Sequence, residues 1–284
     1  MLSEIFKLFW KTVERKDKRR INSQTSPTEI EQFCDIQYID DGLWQHRLDV
    51  YSKSGKLSHR PVIIDIHGGG WMYGTKEINK NYCLVLAQKD YVVVNINYRF
   101  SVADQLRDCF FAFKWVSTNI EKYGGDLNNV FVTGDSAGGF LAAYSALLNS
   151  SEKLRKIFGV TESGLEFRAC GLTSPVCFMN THTFQDVYYS RVKGKEFSES
   201  TLRGFENFDA VLNKGSMPPT FLVTSSGDAV GRLPTIKMYN LLCGEGVKCK
   251  LENRDKYNGK NLPHVFSVID PFSVPGKETI SDML

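Results

Sequence analysis

The sequence has no long hydrophobic run: no stretch of about 18 apolar residues is present that could cross a bilayer. Lys7 and Lys11 interrupt the segment that a secretory signal peptide would need to keep apolar. The 7 cysteines occur singly, with no CxxC pair and no Cys/His cluster at zinc spacing. These absences predict a soluble, cytoplasmic protein with buried free thiols and no metal site.

Outside the first 20 residues the chain has no net positive charge. The first 20 residues contain 7 Lys or Arg and 3 Asp or Glu, so the totals of 35 and 32 leave 28 basic and 29 acidic residues for the remaining 264. A neutral body gives no basic surface on which nucleic acid would bind. Nucleic-acid binding is therefore not expected.

The first segment, "MLSEIFKLFWKTVERKDKRR", has the pattern of an amphipathic helix that ends in a basic run. Its large apolar residues fall near one side of the helix: Leu2, Ile5, Phe6, Phe9 and Val13. We expect residues 1–34 to form an N-terminal helical segment that packs over the body. The alternative is a helix that lies on an anionic membrane surface.

Beyond this segment, strand patterns alternate with helix patterns. The segments 35–40 and 46–51 flank a "DDG" turn and predict an antiparallel pair. Mostly continuous apolar runs then predict buried parallel strands at 61–66, 91–97, 129–134, 167–175 and 219–225. Helical spacing covers 76–89, 103–123, 137–150 and 231–243. This alternation predicts an α/β domain over 35–284, with a mostly parallel sheet and an insertion at about 176–215.

Two glycine-rich loops follow predicted strands, at the edge of the sheet where α/β proteins bind ligands. The first, "HGGGW", covers 67–71, and the second, "GDSAGG", covers 134–139 and places Ser136 in a G-x-S-x-G pattern between a strand and a helix. Such a turn exposes a nucleophilic serine, although a serine that only caps the helix is the alternative. The first loop fits no phosphate-binding pattern and suits backbone donors to an oxyanion.

These two motifs, with "NYR" at 97–99 and "YGGD" at 123–126 between them, resemble the hormone-sensitive-lipase-type family of α/β-hydrolases. The resemblance covers roughly residues 35–270. It implies an α/β-hydrolase fold with a sheet of about eight strands, helices on both faces and a small helical cap. It also implies carboxylesterase or related acyl-hydrolase activity.

The resemblance extends to individual residues. The family's oxyanion donors correspond to Gly69, Gly70 and Ala137, and its acid and base follow the serine in that order. Asp228 in "SGDAV" matches the acid position, and His264 in "NLPHVF" matches the base. The implied catalytic triad is therefore Ser136, Asp228 and His264.

We expect a serine carboxylesterase that hydrolyses small, soluble, short-acyl esters without metal or organic cofactor and without stable membrane insertion. Four residues are candidates for contact with the ester: Trp71, Tyr73, Phe178 and His182. An amidase, formamidase or peptidase on the same fold is an alternative, as is a ligand-binding relative without catalysis. The last would be expected to have lost a triad residue, and this chain retains all three. The sequence leaves the oligomeric state open.

Overall fold

Eight strands form one sheet in the described part of the chain. The structure is a computed structural model that describes residues 2–55, 59–179, 186–199 and 202–284. The strands in chain order are β1 (Ile30–Gln37), β2 (Arg47–Lys53), β3 (Arg60–Ile66), β4 (Val92–Ile96), β5 (Gly125–Asp135), β6 (Phe167–Thr173), β7 (Thr220–Ser225) and β8 (Cys249–Arg254). Their order across the sheet is β1-β2-β4-β3-β5-β6-β7-β8, and β2 runs antiparallel to both of its neighbours. From β4 to β8 all pairs are parallel.

Helices cover both faces of this sheet. They are α1 (Leu2–Ser23), α2 (Lys80–Gln88), α3 (Val102–Asn119), α4 (Ala137–Ser150), α5 (Glu152–Phe158), α6 (Asp186–Glu199), α7 (Asp209–Leu212), α8 (Arg232–Gly244), α9 (Phe266–Ile269) and α10 (Val274–Met283). Because side chains alternate along a strand, Ile64 packs in the larger apolar cluster with α3, α4 and α8. Its neighbour Ile63 packs in a second cluster with α2, α9 and α10. The continuous apolar runs of the sequence reflect this burial on both faces.

The α/β-hydrolase fold is confirmed, and most element boundaries agree with the predicted ones. The helix predicted at 137–150 has those bounds in the structure. The two edge strands of the sheet, β1 and β8, differ from the prediction. β1 begins at Ile30 rather than at residue 35, and β8 has no counterpart among the predicted strands. β1 is largely exposed and no residue of β8 is fully buried, so these edge strands lack the apolar runs by which the central strands were recognised.

The predicted insertion at 176–215 contains α6 and α7, which gives it the helical character expected of a cap. A residue with non-helical backbone, Gly194, interrupts α6. The division of the chain into a segment of 1–34 and a domain of 35–284 stays a prediction, and β1 lies across its boundary.

The prediction of buried thiols is wrong for three of the cysteines. Cys34 and Cys243 are exposed and Cys249 is half-buried, whereas the other four are buried. Cys34 lies on the exposed edge strand β1, and Cys243 lies in the last turn of α8. The Sγ atoms of Cys243 and Cys249 are 2.9 Å apart as free thiols.

Helix α1 packs on the body through Phe6 and Val13, as predicted, and through Trp10 in place of Phe9. Phe6, Trp10 and Val13 are half-buried, whereas Phe9 is 55% exposed. Spacings of four and three residues keep Trp10 and Val13 on the side of Phe6, and Phe9 falls outside that line. The side chains of Leu2 and Ile5 lie outside the described part of the chain. Among the described helices, α1 included, none has both the length and the apolar character that a bilayer span requires.

Candidate active site

Ser136 lies at a strained turn between β5 and α4. Its φ of 53° is in the left-handed region, which residues other than glycine seldom adopt. A Cβ at Gly138 would lie 1.9 Å from the carbonyl oxygen of Ile66, and one at Gly134 would lie 2.4 Å from that of Gly138. The glycines of the G-x-S-x-G pattern are therefore required by backbone contact, as the sequence predicted for a nucleophile turn.

The hydroxyl group of Ser136 accepts and donates no hydrogen bond among the residues that the structure describes. The backbone N–H of Ser136 donates to the carbonyl oxygen of Thr173 at 2.9 Å, which ties the turn to β6. The residue is half-buried. The hydroxyl is thus free to approach a ligand, and no hydrogen bond joins it to His264 in this structure.

Asp228 and His264 meet at the same edge of the sheet, in loops that follow β7 and β8. His264 Nδ1 lies 2.8 Å from Asp228 Oδ1, and that oxygen also accepts from the backbone N–H groups of Val230 and Gly231 at 3.0 and 2.7 Å. Burial raises the pKa of Asp228, but the hydrogen bond and charge of His264 and the Gly231 amide outweigh it and hold the pKa at about 2. Asp228 is therefore an anion at neutral pH, and it fixes the imidazole by Nδ1.

The glycine loop after β3 offers two free backbone donors. Gly69 and Gly70 have φ of 118° and 57°, and a Cβ at Gly69 would lie 1.9 Å from the carbonyl oxygen of Tyr73. Within the described residues, no acceptor takes up the amide N–H of either glycine. The N–H of Ala137, the first residue of α4, is one of those that a helix leaves unpaired. All three amides are available to an anion.

His67 fixes the shape of this loop as a neutral, buried group. Burial lowers the pKa of His67 to about 4, so the ring is uncharged at neutral pH. The ring stacks on Tyr98 with centroids 4.3 Å apart, and its Nδ1 lies 2.7 Å from the carbonyl oxygen of Gly68.

A pair of buried carboxyl groups lies behind the loop, and the sequence did not reveal it. Asp135 Oδ1 accepts from the amide N–H of Gly68 at 3.0 Å and from Asn79 Nδ2 at 2.8 Å. The same amide group of Asn79 donates to Asp65 Oδ2 at 2.9 Å. Burial, and then the charge of Asp135, raise the pKa of Asp65 to about 7. No motif connects residues 65, 79 and 135, so only the folded chain brings them together.

We expect the Asp65→Asn variant to be more stable than the parent at pH 8 and about equally stable at pH 4. Because the folded pKa of Asp65 is raised above its ordinary 3.8, the folded state binds more protons between pH 4 and 7, and stability falls across that window. An asparagine there keeps an acceptor for Asn79 and has no charge to bury. Thermal unfolding at both pH values measures the effect, with the exposed Asp40→Asn as the control. Equal loss of stability at both pH values would contradict it.

The residues proposed to contact substrate have different surroundings. Trp71 is buried and packs edge-on against Phe140 and Tyr189, whose ring centroids lie 5.6 and 5.9 Å away. Phe178 is also buried, with the Lys237 ammonium 3.9 Å from its ring centre. His182 lies outside the described residues. The part that each plays in substrate binding stays a prediction.

Tyr73, the fourth of these candidates, contacts the N-terminal helix. Its ring stacks on Trp10 with centroids 5.2 Å apart, and its hydroxyl donates to Asp17 Oδ2 at 3.1 Å. The edge of the Trp10 ring also lies 2.5 Å from the point that a Cβ of Gly70 would occupy. Tyr188 of α6 donates to the Gly70 carbonyl oxygen at 2.6 Å. Sequence reasoning missed both Trp10 and Tyr188, since no short-range pattern links them to the glycine loop.

Metal ligands are not gathered at this edge. No group of three or more His, Cys, Asp or Glu side chains is placed to hold a metal ion anywhere in the ranges that the structure describes. The groups brought together here are a hydroxyl, an imidazole with its carboxylate, and free amides.

Several known proteins that resemble this chain are named as esterases. The sequence profile of the BD-FAE family matches residues 48–187. The chain is 28% identical over 253 residues to isoprenylcysteine alpha-carbonyl methylesterase of Arabidopsis thaliana, a match that covers 84% of this chain and 58% of that protein. It is 32% identical over 158 residues to carboxylesterase 1D of Mus musculus, a match that covers 50% of this chain and 27% of that protein. The chain thus spans less than two thirds of the length of these curated relatives.

Solved esterase structures match the fold of this chain over its whole length. Esterase B from Lactobacillus rhamnosis has a TM-score of 0.93 and 27% identity, with 100% of this chain and 92% of that chain covered. A second Esterase B structure is described with a C4-C4 tributyrin phosphonate. It has a TM-score of 0.93 and 28% identity, with 100% of this chain and 93% of that chain covered. These likenesses fit a hormone-sensitive-lipase-type esterase family of α/β-hydrolases. The resemblance drawn from the "HGGGW" and "GDSAGG" motifs is confirmed.

The structural likeness to Esterase B extends to the two ends of the chain. The Esterase B likeness covers the whole of this chain, so α1 and the segment after His264 are part of the shared fold. The profile match ends at residue 187. The profile match therefore does not reach Asp228 or His264, and their roles as acid and base stay predictions.

Proposed function

We propose that this chain is a serine carboxylesterase in which Ser136 is the nucleophile, His264 the general base and Asp228 the group that orients the base. The observation that carries the proposal is the 2.8 Å contact between His264 Nδ1 and Asp228 Oδ1, at the same sheet edge as the strained Ser136 turn. The contact fixes Nδ1 as the donor, which leaves Nε2 as the acceptor that a base needs. The mechanism also requires donors to the oxyanion, and the free amides of the glycine loop provide them.

The reaction would proceed through an acyl-enzyme. Ser136 Oγ attacks the ester carbonyl as its proton passes to His264 Nε2, and the charge of Asp228 stabilises the imidazolium. Amides of Gly69, Gly70 and Ala137 donate to the oxyanion of the tetrahedral intermediate, each contributing about 3 kcal/mol in comparable sites. The imidazolium then protonates the leaving alcohol, and water repeats the sequence to release the acid.

We propose short acyl chains and small ester groups as the substrate class. The Arabidopsis relative is named for a methyl ester, and the Esterase B structure is described with C4 chains. Two bulky residues are buried: Trp71, which packs edge-on against Phe140 and against Tyr189 of α6, and Phe178, whose ring lies under the Lys237 ammonium. We therefore expect kcat/KM to be higher for butyrate than for palmitate esters of the same alcohol.

Labelling with a fluorophosphonate tests the nucleophile directly. A serine reacts quickly with this reagent only when a base and an oxyanion site act on it. We expect one adduct per chain, on the peptide that contains Ser136, and none after heat denaturation. An adduct on another serine, or equal labelling of the denatured chain, would refute the assignment. Comparing ethyl butyrate with N-ethylbutyramide on the same sample then tests the ester against the amide alternative.

A further inference from the structure

The outward face of α1 carries exposed basic side chains and exposed apolar ones. Leu8, Arg15 and Arg19 follow one line along the helix, because spacings of seven and four residues return to the same side. Lys11 and Lys16 flank this line and are also exposed. Of the two acidic residues in this stretch, Asp17 is half-buried and accepts from the Tyr73 hydroxyl, and Glu14 keeps 44% of its side chain exposed and pairs with Lys18. The other charged side chains that the helix exposes between residues 8 and 19 are all basic.

The positive charge of this face is not neutralised by the protein. Glu14 pairs with Lys18 at 2.7 Å, and Asp17 pairs with Arg20 at 3.1 Å. The remaining exposed cations form no ion pair within the described residues, and we name them the basic face: Lys11, Arg15, Lys16 and Arg19. The first 20 residues carry 7 basic and 3 acidic residues, while the rest of the chain is close to neutral. The basic face is thus a local feature and not part of a generally cationic surface.

Large apolar side chains are also exposed on α1, on α6 and in the first turn of α8. The four most exposed large apolar residues of the described chain are Leu233 at 75%, Leu8 at 66%, Phe9 at 55% and Val187 at 51%, which we name the apolar rim. Each is close in sequence to a residue at the site. Leu8 and Phe9 precede Trp10, which covers Gly70. Val187 precedes Tyr188, which donates a hydrogen bond to the Gly70 carbonyl oxygen. Leu233 follows Asp228 in the first turn of α8.

We propose that the basic face and the apolar rim dock this protein on an anionic lipid surface, with the mouth of the site against the lipid. Exposed aliphatic and aromatic side chains enter the region between headgroups and acyl chains, and flanking cations contact lipid phosphates and carboxylates. Nucleic acid would use the cations but leave the aliphatic rim in water. The docking does not depend on the proposed esterase activity, because no rim or basic-face residue belongs to the proposed triad.

The charge spacing suits such a surface. The basic face runs from residue 11 to residue 19, which is about 12 Å of helix at 1.5 Å per residue. This length is close to the Debye length of about 8 Å at physiological ionic strength, so the cations act on the same patch of lipid. Each Lys or Arg near an anionic surface contributes about fivefold to partitioning. Three neutralised residues should therefore lower partitioning by about a hundredfold.

Vesicle flotation of the full chain tests the proposal, with the Ser136→Ala substitution present so that hydrolysis cannot alter the lipid. The probes are phosphatidylcholine vesicles with and without about 30% phosphatidylserine. The vesicles that contain phosphatidylserine represent an anionic leaflet. We expect binding to the anionic vesicles only, and a decrease as salt is raised. Lys11→Gln/Arg15→Gln/Arg19→Gln should weaken it by about a hundredfold, and Leu8→Ser/Phe9→Ser should weaken it at every salt concentration.

A matched control removes the same charge at the opposite edge of the sheet: Lys122→Gln/Lys153→Gln/Lys156→Gln. These side chains are exposed at the helix ends far from the glycine loop, so vesicle binding should be unchanged. Both triple variants, with Ser136 restored, should hydrolyse soluble p-nitrophenyl butyrate at the parent rate, which shows that they fold.

Three outcomes would overturn the proposal. The first is equal binding to vesicles with and without phosphatidylserine, and the second is equal weakening by the control variant. The third is a parent protein that does not bind vesicles and that light scattering shows to be a dimer, which the Leu8→Ser/Phe9→Ser variant dissociates. In that case a second copy of the chain, and not lipid, would cover the apolar rim. None of these results depends on whether Ser136 is the nucleophile.

Discussion

Replacing Ser136 by alanine is expected to lower kcat for p-nitrophenyl butyrate by about 10⁶-fold, the size of loss that removal of the nucleophile causes in other serine hydrolases. The fold should not change, because Oγ makes no hydrogen bond within the described residues and alanine fits wherever serine does. Steady-state hydrolysis, followed at the absorbance of p-nitrophenolate, measures the loss. Thermal unfolding of the same sample shows that the variant is native.

The control for this prediction is Ser117→Ala, which removes a hydroxyl from the surface of α3 that donates only to the Lys114 carbonyl oxygen. It should retain the parent kcat. If the Ser136→Ala variant instead kept more than about 1% of the parent activity in a preparation free of contaminating esterase, the acyl-enzyme mechanism would be wrong for this chain.

The second large effect is expected at Asp228, where asparagine should lower kcat by about 10⁴-fold. The amide can still accept from Val230 and Gly231 through its oxygen, so the loop geometry should survive. What is lost is the negative charge 2.8 Å from His264 Nδ1, which stabilises the imidazolium in each transition state. Comparing kcat with KM separates this loss from one of substrate binding, since KM should change little.

The same substitution should flatten the acid end of the stability curve. The folded pKa of Asp228 is lowered to about 2 from 3.8, so its carboxylate contributes about 2 kcal/mol above pH 4 that is lost as pH falls through 2. Denaturant unfolding between pH 5 and pH 2 should show this decline in the parent and not in Asp228→Asn. A parallel decline in both proteins would mean that the charge of Asp228 adds nothing to the folded state.

The central sheet and the Ser136 turn were predictable from sequence because both depend on local patterns. Strands buried on both faces appear as continuous apolar runs, and a strained turn needs glycine at fixed offsets from the serine. The contacts of Gly134 and Gly138 with backbone carbonyls show why those offsets hold. Edge strand β8 escaped prediction because its residues alternate between half-buried and exposed without a fully buried face.

The surroundings of the glycine loop were not predictable, because they arise from residues distant in the chain. Asp135 is visible next to the serine, but its contacts with Gly68 and Asn79 exist only once β3 and β5 are paired. Trp10 was not among the apolar residues predicted to face the body, since Phe9 beside it satisfied the same helical pattern. A one-residue difference in helix rotation decides which aromatic ring reaches Gly70, and sequence periodicity does not resolve it.

The contacts of Trp10 and Tyr188 with Gly70 have a practical consequence for engineering. The peptide that presents a proposed oxyanion donor is held in place by one ring from the first helix and one hydroxyl from α6, 60 and 118 residues away along the chain. Mutant libraries restricted to pocket-lining positions would miss both. Varying residues 10, 73 and 188 together offers a route to tune turnover while leaving the three reacting side chains as they are.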